Sequence, residues 1–273
     1  MSVVESTTKT KYLTIDTRFR DKYDSSCVAN YNITLPERIN NVKSMRVTNV
    51  EIPVSYYNIS ANIGNNAFYF KQSDKFVDII VPDGNYDETT LIETVNTAIP
   101  FATIVFSIEN HRGVFTNNDL VGECIIGFNL SQNPTIQTGV LSTFGWLLGY
   151  RKSLYTLALN AKIASESFAM LTGPRYLFLV VDEFTNGNPH SFLSLSRTSE
   201  LSSQQILARI TTGINPFGTV LVADTYSNCC SDTRIYSNEV NIQRLNVKLV
   251  DELGTIVDLN GMDLSFCLEL QHL

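Results

Sequence analysis

The sequence predicts an all-β protein, an antiparallel β-sandwich of the single jelly-roll type with long loops and one or two short helices. Three observations carry that expectation. Apolar and polar residues alternate with period 2 along the whole chain, strong turn signals separate the alternating runs, and helical periodicity is scarce. The chain has 273 residues, within the range that a sandwich fills as one domain.

The first run is residues 12–16, Tyr12-Leu-Thr-Ile-Asp16, which follows ten polar, Thr- and Ser-rich residues. Residues 1–10 therefore read as a flexible N-terminal arm, either frayed or able to add a strand to a neighbour. Tyr31, Ile33 and Leu35 then alternate with Asn32 and Thr34. Within residues 42–52 the apolar phase slips between Val47 and Val50, which predicts a β-bulge. Further strands are expected at residues 67–71, 76–81, 124–130 and 219–223. Residues 176–181, and Ile104-Val-Phe106 within residues 101–108, are apolar on both faces, the pattern of strands covered on both sides. The chain closes on Leu245, Val247 and Leu249, then on Leu264, Phe266, Leu268 and Leu270, each set alternating with polar residues or Cys267.

Gly64-Asn-Asn66, Pro82-Asp-Gly-Asn85, Asn186-Gly-Asn-Pro189 and Asn260-Gly261 punctuate these runs, and Asp251-Glu-Leu-Gly254 reads as a hairpin turn. One helix is expected over residues 88–99, capped by Asp87 and stopped by Pro100, with Leu91, Ile92, Val95 and Ile99 as its apolar stripe. A helical turn over residues 141–148 holds the single Trp. No linker divides the chain, so residues 11–273 read as one domain. Residues 131–173 are a candidate inserted subregion whose apolar content implies that it packs.

Composition narrows the function. Hydrophobic residues are 44%, enough for a core, whereas charged residues are only 17% and the net charge is −7. An acidic chain whose densest basic stretch is Arg18-Phe-Arg20-Asp-Lys22 repels phosphate, so direct genome binding is not expected. No apolar run reaches the length of a membrane span, and MSVVESTTKTK has no apolar segment of a signal peptide. The five cysteines, Cys27, Cys124, Cys229, Cys230 and Cys267, are odd in number and lack metal-site spacing. They read as reduced thiols, and the sequons at Asn32, Asn58 and Asn129 as chance.

Chemistry is sought and not found. His111, His190 and His272 fit no ligand spacing, and no nucleophile elbow, phosphate loop or dinucleotide loop is present. Asp182-Glu183 suits a glycosidase-type acid, but reads better as a polar stop where a strand reaches solvent. Asp78 and Asp83-Gly84-Asn85 suit calcium, but read better as turn chemistry. Tyr56-Tyr57 and Phe68-Tyr69-Phe70 suit a stacking platform, but read better as core and subunit interface. No catalytic, cofactor-binding or metal-binding residue is assigned, no cofactor is expected, and the chain is not expected to be an enzyme.

Several segments taken in order carry a family resemblance. They are Tyr12-Leu-Thr-Ile-Asp-Thr-Arg18, Tyr31-Asn-Ile-Thr-Leu-Pro36, Ile39-Asn-Asn-Val-Lys-Ser-Met-Arg-Val47, Val50-Glu-Ile-Pro53 and Tyr57-Asn-Ile59. Asn65-Asn-Ala-Phe-Tyr-Phe70, Val81-Pro-Asp-Gly-Asn-Tyr86, Gly145-Trp-Leu-Leu-Gly-Tyr150, Pro174-Arg-Tyr-Leu-Phe-Leu179 and the two closing runs complete the series. Together they resemble the single jelly-roll penton or minor capsid proteins of the large icosahedral nucleocytoplasmic DNA viruses. The resemblance implies a structural virion protein, assembled in host cytoplasm, that forms a homopentamer at a five-fold vertex and contacts the major capsid protein. Other minor capsid proteins or a vertex fibre are further partners it allows. The alternatives are a minor capsid protein beneath or between capsomers and a jelly-roll glycan-binding attachment protein.

Overall fold

The computed structural model describes residues 8–23, 27–72, 75–118, 122–128, 142–184, 194–195, 201–202 and 205–273. In chain order the first elements are β1 (Lys9–Asp16), a 3₁₀ turn (Thr17–Phe19), β2 (Asn30–Pro53), β3 (Ala67–Gln72) and β4 (Lys75–Ile80). There follow α1 (Glu88–Ala98), β5 (Ile104–Glu109), β6 (Arg112–Asn117), β7 (Cys124–Gly127), α2 (Phe144–Leu147), β8 (Leu154–Leu157) and β9 (Lys162–Ala164). The last are β10 (Tyr176–Asp182), β11 (Ser194–Leu195), β12 (Leu201–Ser202), β13 (Ile206–Thr211), β14 (Val220–Asp224), β15 (Cys229–Ser231), β16 (Arg234–Asp251) and β17 (Ser265–His272). All named strand pairs are antiparallel, and the chain is of the all-β, jelly-roll class that the alternation predicts.

The chain forms two compact units, each with its own core. Unit 1 is Met1–Tyr56 with Pro174–Leu273. Its sheet runs β1-β17-β2-β16-β10-β13-β15, with β14 also on β2. The inward residues are those the alternation marks: Tyr31, Ile33 and Leu35 from β2, Leu245, Val247 and Leu249 from β16, and Phe266, Leu268 and Leu270 from β17. The sheet curls, because the Val47 N–H of β2 donates to Ser231 Oγ of β15, at the far end of the strand order (3.0 Å).

The expected bulge is at Thr48. Cys267 faces Asn49 and Leu268 faces Val47, so Thr48 is the extra residue of β2. Its carbonyl accepts from the Thr225 N–H at 3.0 Å and from Thr225 Oγ1 at 3.1 Å. The ladder group that the bulge displaces is therefore paired elsewhere, as a part-buried carbonyl requires.

Three local expectations take a different form. The Asp251 turn is present: Asp251 Oδ1 accepts from the N–H groups of Leu253 and Thr255, and Gly254 has φ 81°. Its far arm is a single bridge, Val250 to Ile256, and β17 pairs with β2 and β1 instead of β16. Strand β10 is buried on both faces as expected, with Phe178 and Val180 in a small second cluster beside Ile206 and Val250. Strand β5 is not: Ile104 and Phe106 are buried, but Val105 between them is exposed. Of the arm expected over residues 1–10, residues 1–7 lie outside the described residues, and Lys9 and Thr10 pair with His272 and Gln271 in β1.

Unit 2, Tyr57–Gly173, has a sheet β4-β3-β7-β8, a second sheet β5-β6-β9 and both helices. Asp87 caps α1: its Oδ1 accepts from the Thr90 N–H (2.8 Å) while Thr90 Oγ1 accepts from the Asp87 N–H (3.1 Å). Leu91, Val95 and Ile99 are buried, and Ile92 is only half-buried. The core is aromatic. Phe68 stacks on Phe144 with ring centroids 5.1 Å apart, and Phe128 stacks on Tyr150 at 4.9 Å. Of the subregion at residues 131–173, residues 131–141 lie outside the described residues, whereas Phe144, Leu148, Tyr150 and Leu157 pack in this core.

Two predictions follow from unit 2. Asn110 and His111 form a two-residue loop between Glu109 and Arg112, with φ of 51° and 61°. That is the type I′ geometry that favours Asn-Gly. His111→Gly relieves the left-handed strain at a side chain that is largely exposed. It is expected to stabilise the protein by about 0.5–1 kcal/mol, seen as a rise of roughly 1–3 °C in thermal unfolding. Gly145 lies in α2 against the Phe128 ring, and a Cβ there would overlap the ring. Gly145→Ala is expected to lower stability by about 1–3 kcal/mol in denaturant titration despite its better helix propensity.

Candidate assembly surface

The carboxylates flagged in the sequence are structural groups. Glu183 is buried and its Oε2 accepts from Arg234 Nη1 at 2.6 Å, with both side chains shielded from solvent. Arg234 also donates to the carbonyls of Val181 (2.8 Å) and Gln205 (2.7 Å). Tyr236 lies beside the pair, and burial, with the Glu183 charge, pushes its hydroxyl far up from the usual phenol range. The reading of Asp182-Glu183 as a polar stop at solvent is thus corrected for Glu183, which faces inward to meet a cation 51 positions along the chain. Asp182 follows the expectation: it is half-buried, and its Oδ1 accepts from the Phe184 N–H (2.7 Å).

Asp83 ties a loop. Its carboxylate accepts from the Ala61 N–H (2.8 Å), Ser60 Oγ (3.2 Å) and Asn66 Nδ2 (3.3 Å), and Asp78 is exposed on β4. Among the described residues no group of three or more His, Cys, Asp or Glu side chains could hold a metal. His111 sits in its turn 3.5 Å from Glu88, His272 is at the end of β17, and His190 lies outside the described residues. Cys27 is exposed, Cys267 half-buried, and Cys124 and Cys229 buried, all four as free thiols. Burial pushes the Cys124 thiol up, which makes it a poor nucleophile. Tyr56, Phe68, Tyr69 and Phe70 are buried, so this aromatic run is core and not a stacking platform.

Two further groups carry no motif that marks them in the sequence, and one of them, Arg20, has a partner 243 positions away. Arg20 is buried; its Nη1 donates to the Thr17 carbonyl (2.7 Å) and to Asp263 Oδ1 (3.1 Å), and its guanidinium lies 4.1 Å from the Tyr23 ring centroid. Tyr155 accepts from the N–H groups of Arg151 and Lys152 (both 2.9 Å) and donates to Glu166. Partial burial pushes Glu166 up, but the Tyr155 hydroxyl and backbone N–H groups, that of Arg151 among them, outweigh it and hold the carboxyl below its ordinary range.

What remains at the surface of unit 1 is a sheet face with open edges. Directly opposed residues share a face. Tyr12, Glu269 and Arg46 form one row across β1, β17 and β2, and Asp16, Ser265 and Glu51 form another, which Val222 of β14 extends. Arg46 Nη2 donates to Glu269 Oε2 (2.7 Å), which raises the Arg46 pKa, and Tyr12 and Tyr226 lie within electrostatic reach of it. Ser265 Oγ donates to Glu51 Oε2 (2.7 Å). Apolar side chains stand out on this face: Tyr12 is 65% exposed, Val220 55%, Val222 60% and Tyr226 99%. Among the described residues β1 pairs with no strand but β17, and β14 with no strand but β2, its last residue Asp224 making a single bridge to Asn228 in the turn that follows. Tyr and Arg among exposed aliphatic side chains is the composition of subunit contacts.

The chain is thus an all-β protein of jelly-roll class whose unit 1 presents an outward sheet face flanked, among the described residues, by the edge strands β1 and β14. No family model matches it, and no curated protein matches it. Among solved structures it is similar to the mavirus penton protein, with TM-score 0.47 and 10% identity over 97% of this chain and 100% of that one. It is similar also to a chain of the Sputnik virophage, with TM-score 0.46 and 14% identity over 96% of this chain and 98% of that one. Superpositions this loose assign no role to the chain.

The buried ion pair generates a double-mutant prediction. Arg234→Met leaves Glu183 buried without its partner and is expected to cost about 3–5 kcal/mol, and Glu183→Gln weakens the same network. Arg234→Met combined with Glu183→Leu is expected to recover most of that loss, as removal of both charges at once does elsewhere. Denaturant unfolding of the three variants measures the coupling.

Proposed function

We propose that this chain is a structural virion protein, a capsid protein that self-associates as a pentamer at a five-fold vertex and contacts the major capsid protein. The observation that carries the reading is the exposed Tyr12, Val220, Val222 and Tyr226 on one sheet face whose edge strands lack a second partner among the described residues. Such surface is costly to leave in water and is the composition of a subunit contact. The family resemblance supports the same reading. Its segments fall on β1, on most of β2, on β3, on the loop that leads into α1, on α2, and on β10, β16 and β17. They are therefore the residues that set strand length, turns and core, which a shell protein needs.

In this role the protein works by shape and cohesion. The loop ends of the sheet are free to vary while its edges and outer face meet neighbours. Light scattering on the purified chain tests self-association, with a pentamer mass as the expected result at high concentration. A vertex-focused reconstruction of the virion tests placement. Density for this fold around the five-fold axis is expected; vertex density that excludes the fold, with the chain found beneath or between capsomers, overturns the vertex assignment.

A further inference from the structure

We infer that the ring closes by strand pairing between copies, the open edge of β1 of one copy meeting the open edge of β14 of the next. The inference rests on the proposed function and names the contact through which it would operate.

Both edges are unpaired among the described residues, and an exposed strand edge is a row of N–H and C=O groups that another strand satisfies. The side chains agree. On β14, Leu221 and Ala223 point into the core while Val220 and Val222 stand outward, an apolar outer face where an isolated edge strand carries polar groups. On β1, Tyr12 stands outward on the corresponding face, so abutting the strands sets an aromatic ring beside β-branched side chains, a favourable cross-strand pair. Two different edges make a heterologous contact, the kind that builds a ring when the rotation between copies closes and an open filament when it does not. Pairing β14 with β14 of a second copy would be isologous and stop at a dimer. A contact of five strand residues buries a few hundred Å² on each side, below the ~800 Å² per partner of a standard interface. A pair of copies is accordingly weak, and closure of the ring supplies the stability.

Within one chain β1 and β14 are separated by β17 and β2, three strand spacings or about 14 Å, too far for a disulfide. A cross-link between these strands therefore reports contact between copies. In a Cys27→Ser, Cys267→Ser background, cysteine is placed at Thr10, Tyr12 or Thr14 together with Val222→Cys. The proteins are oxidised at high concentration and run without reductant. A ladder ending in a closed ring for at least one of the three, with neither single variant giving it, is expected. Separately, Val222→Lys is expected to leave the melting temperature unchanged and to raise the concentration for half-association at least about tenfold. A ring or vertex density that persists without any cross-link, or that Val222→Lys leaves intact, overturns the edge pairing and leaves the capsid reading standing. A dimer band from Val222→Cys alone, with no ladder, overturns it in favour of isologous pairing. A chain that neither associates nor occupies the virion removes the capsid reading itself.

Discussion

The architecture of unit 1 depends on one strand serving three partners. Strand β2 has 24 residues and pairs with β16 over residues 30–45, with β17 over residues 42–51 and with β14 over residues 49–53. A flat ribbon of that length cannot hold its apolar residues on one continuous core. The strand departs from regular geometry at several places instead. Asn41 takes φ 55°, with its N–H on Asn241 Oδ1 (3.0 Å) and its carbonyl on the Leu273 N–H (3.2 Å). Thr48 bulges, and its neighbours Thr225 and Ser231 pair the backbone groups around it. Asn is among the few residues that tolerate the left-handed region, and a bulge adds twist. With a further register shift at Lys43, between Ser44 opposite Gln271 and Val42 opposite His272, these local devices let Val42, Met45, Val47, Val50 and Ile52 all face the same core.

Unit 2 solves a smaller version of the problem with aromatic rings and close glycines. Its core holds seven fully buried large aromatic side chains, so the backbone must leave room for rings, and Gly127 and Gly145 lie where rings press on the chain. The helix is fixed by more than its apolar stripe. The Asn96 side chain pairs with both the carbonyl and the N–H of Phe106 (2.8 Å each), so one amide does the work of a ladder residue at the β5 edge. The buried charge of Glu183 likewise arrives with its partner Arg234, whereas the buried hydroxyls of Tyr31, Thr103 and Ser142 make no hydrogen bond among the described residues.

What the sequence reveals is whatever depends on near neighbours. Alternation marks the inward residues of β2, β16 and β17, the phase slip marks Thr48, and Asp87 and Pro100 bracket α1. Pairing across the chain leaves no such mark. The turn at Asp251 joins two alternating runs and invites a hairpin, yet β17 passes over β16 to lie on β2 and β1, because β10 already occupies the other edge of β16. The same limit hides the surface chemistry. Glu183 looks like a strand end until Arg234 is found against it, and Val220 and Val222 look like ordinary core until Leu221 and Ala223 are seen to take the inward side.

The low charge content acquires a physical meaning from that surface. Edge strands of proteins that stay apart are guarded by charges, prolines or a covering segment. Here the outer face of β1, β17, β2 and β14 spends its few charges internally: Arg46 is engaged by Glu269, Glu51 by Ser265, and Asp16 by Arg18. Asp16 is held below the usual carboxylate range by the Arg18 hydrogen bond, against partial burial, so that pair persists through the neutral range. With Arg46 and Asp16 in ion pairs and Glu51 held by a hydroxyl, Tyr12, Val220, Val222 and Tyr226 are the large exposed apolar features of this face. A fold that meant to remain monomeric would place lysines at those outward positions at almost no cost to its core, since none of the four is needed inside. That the chain instead keeps Val and Tyr there is the pattern of a surface held ready for a neighbour.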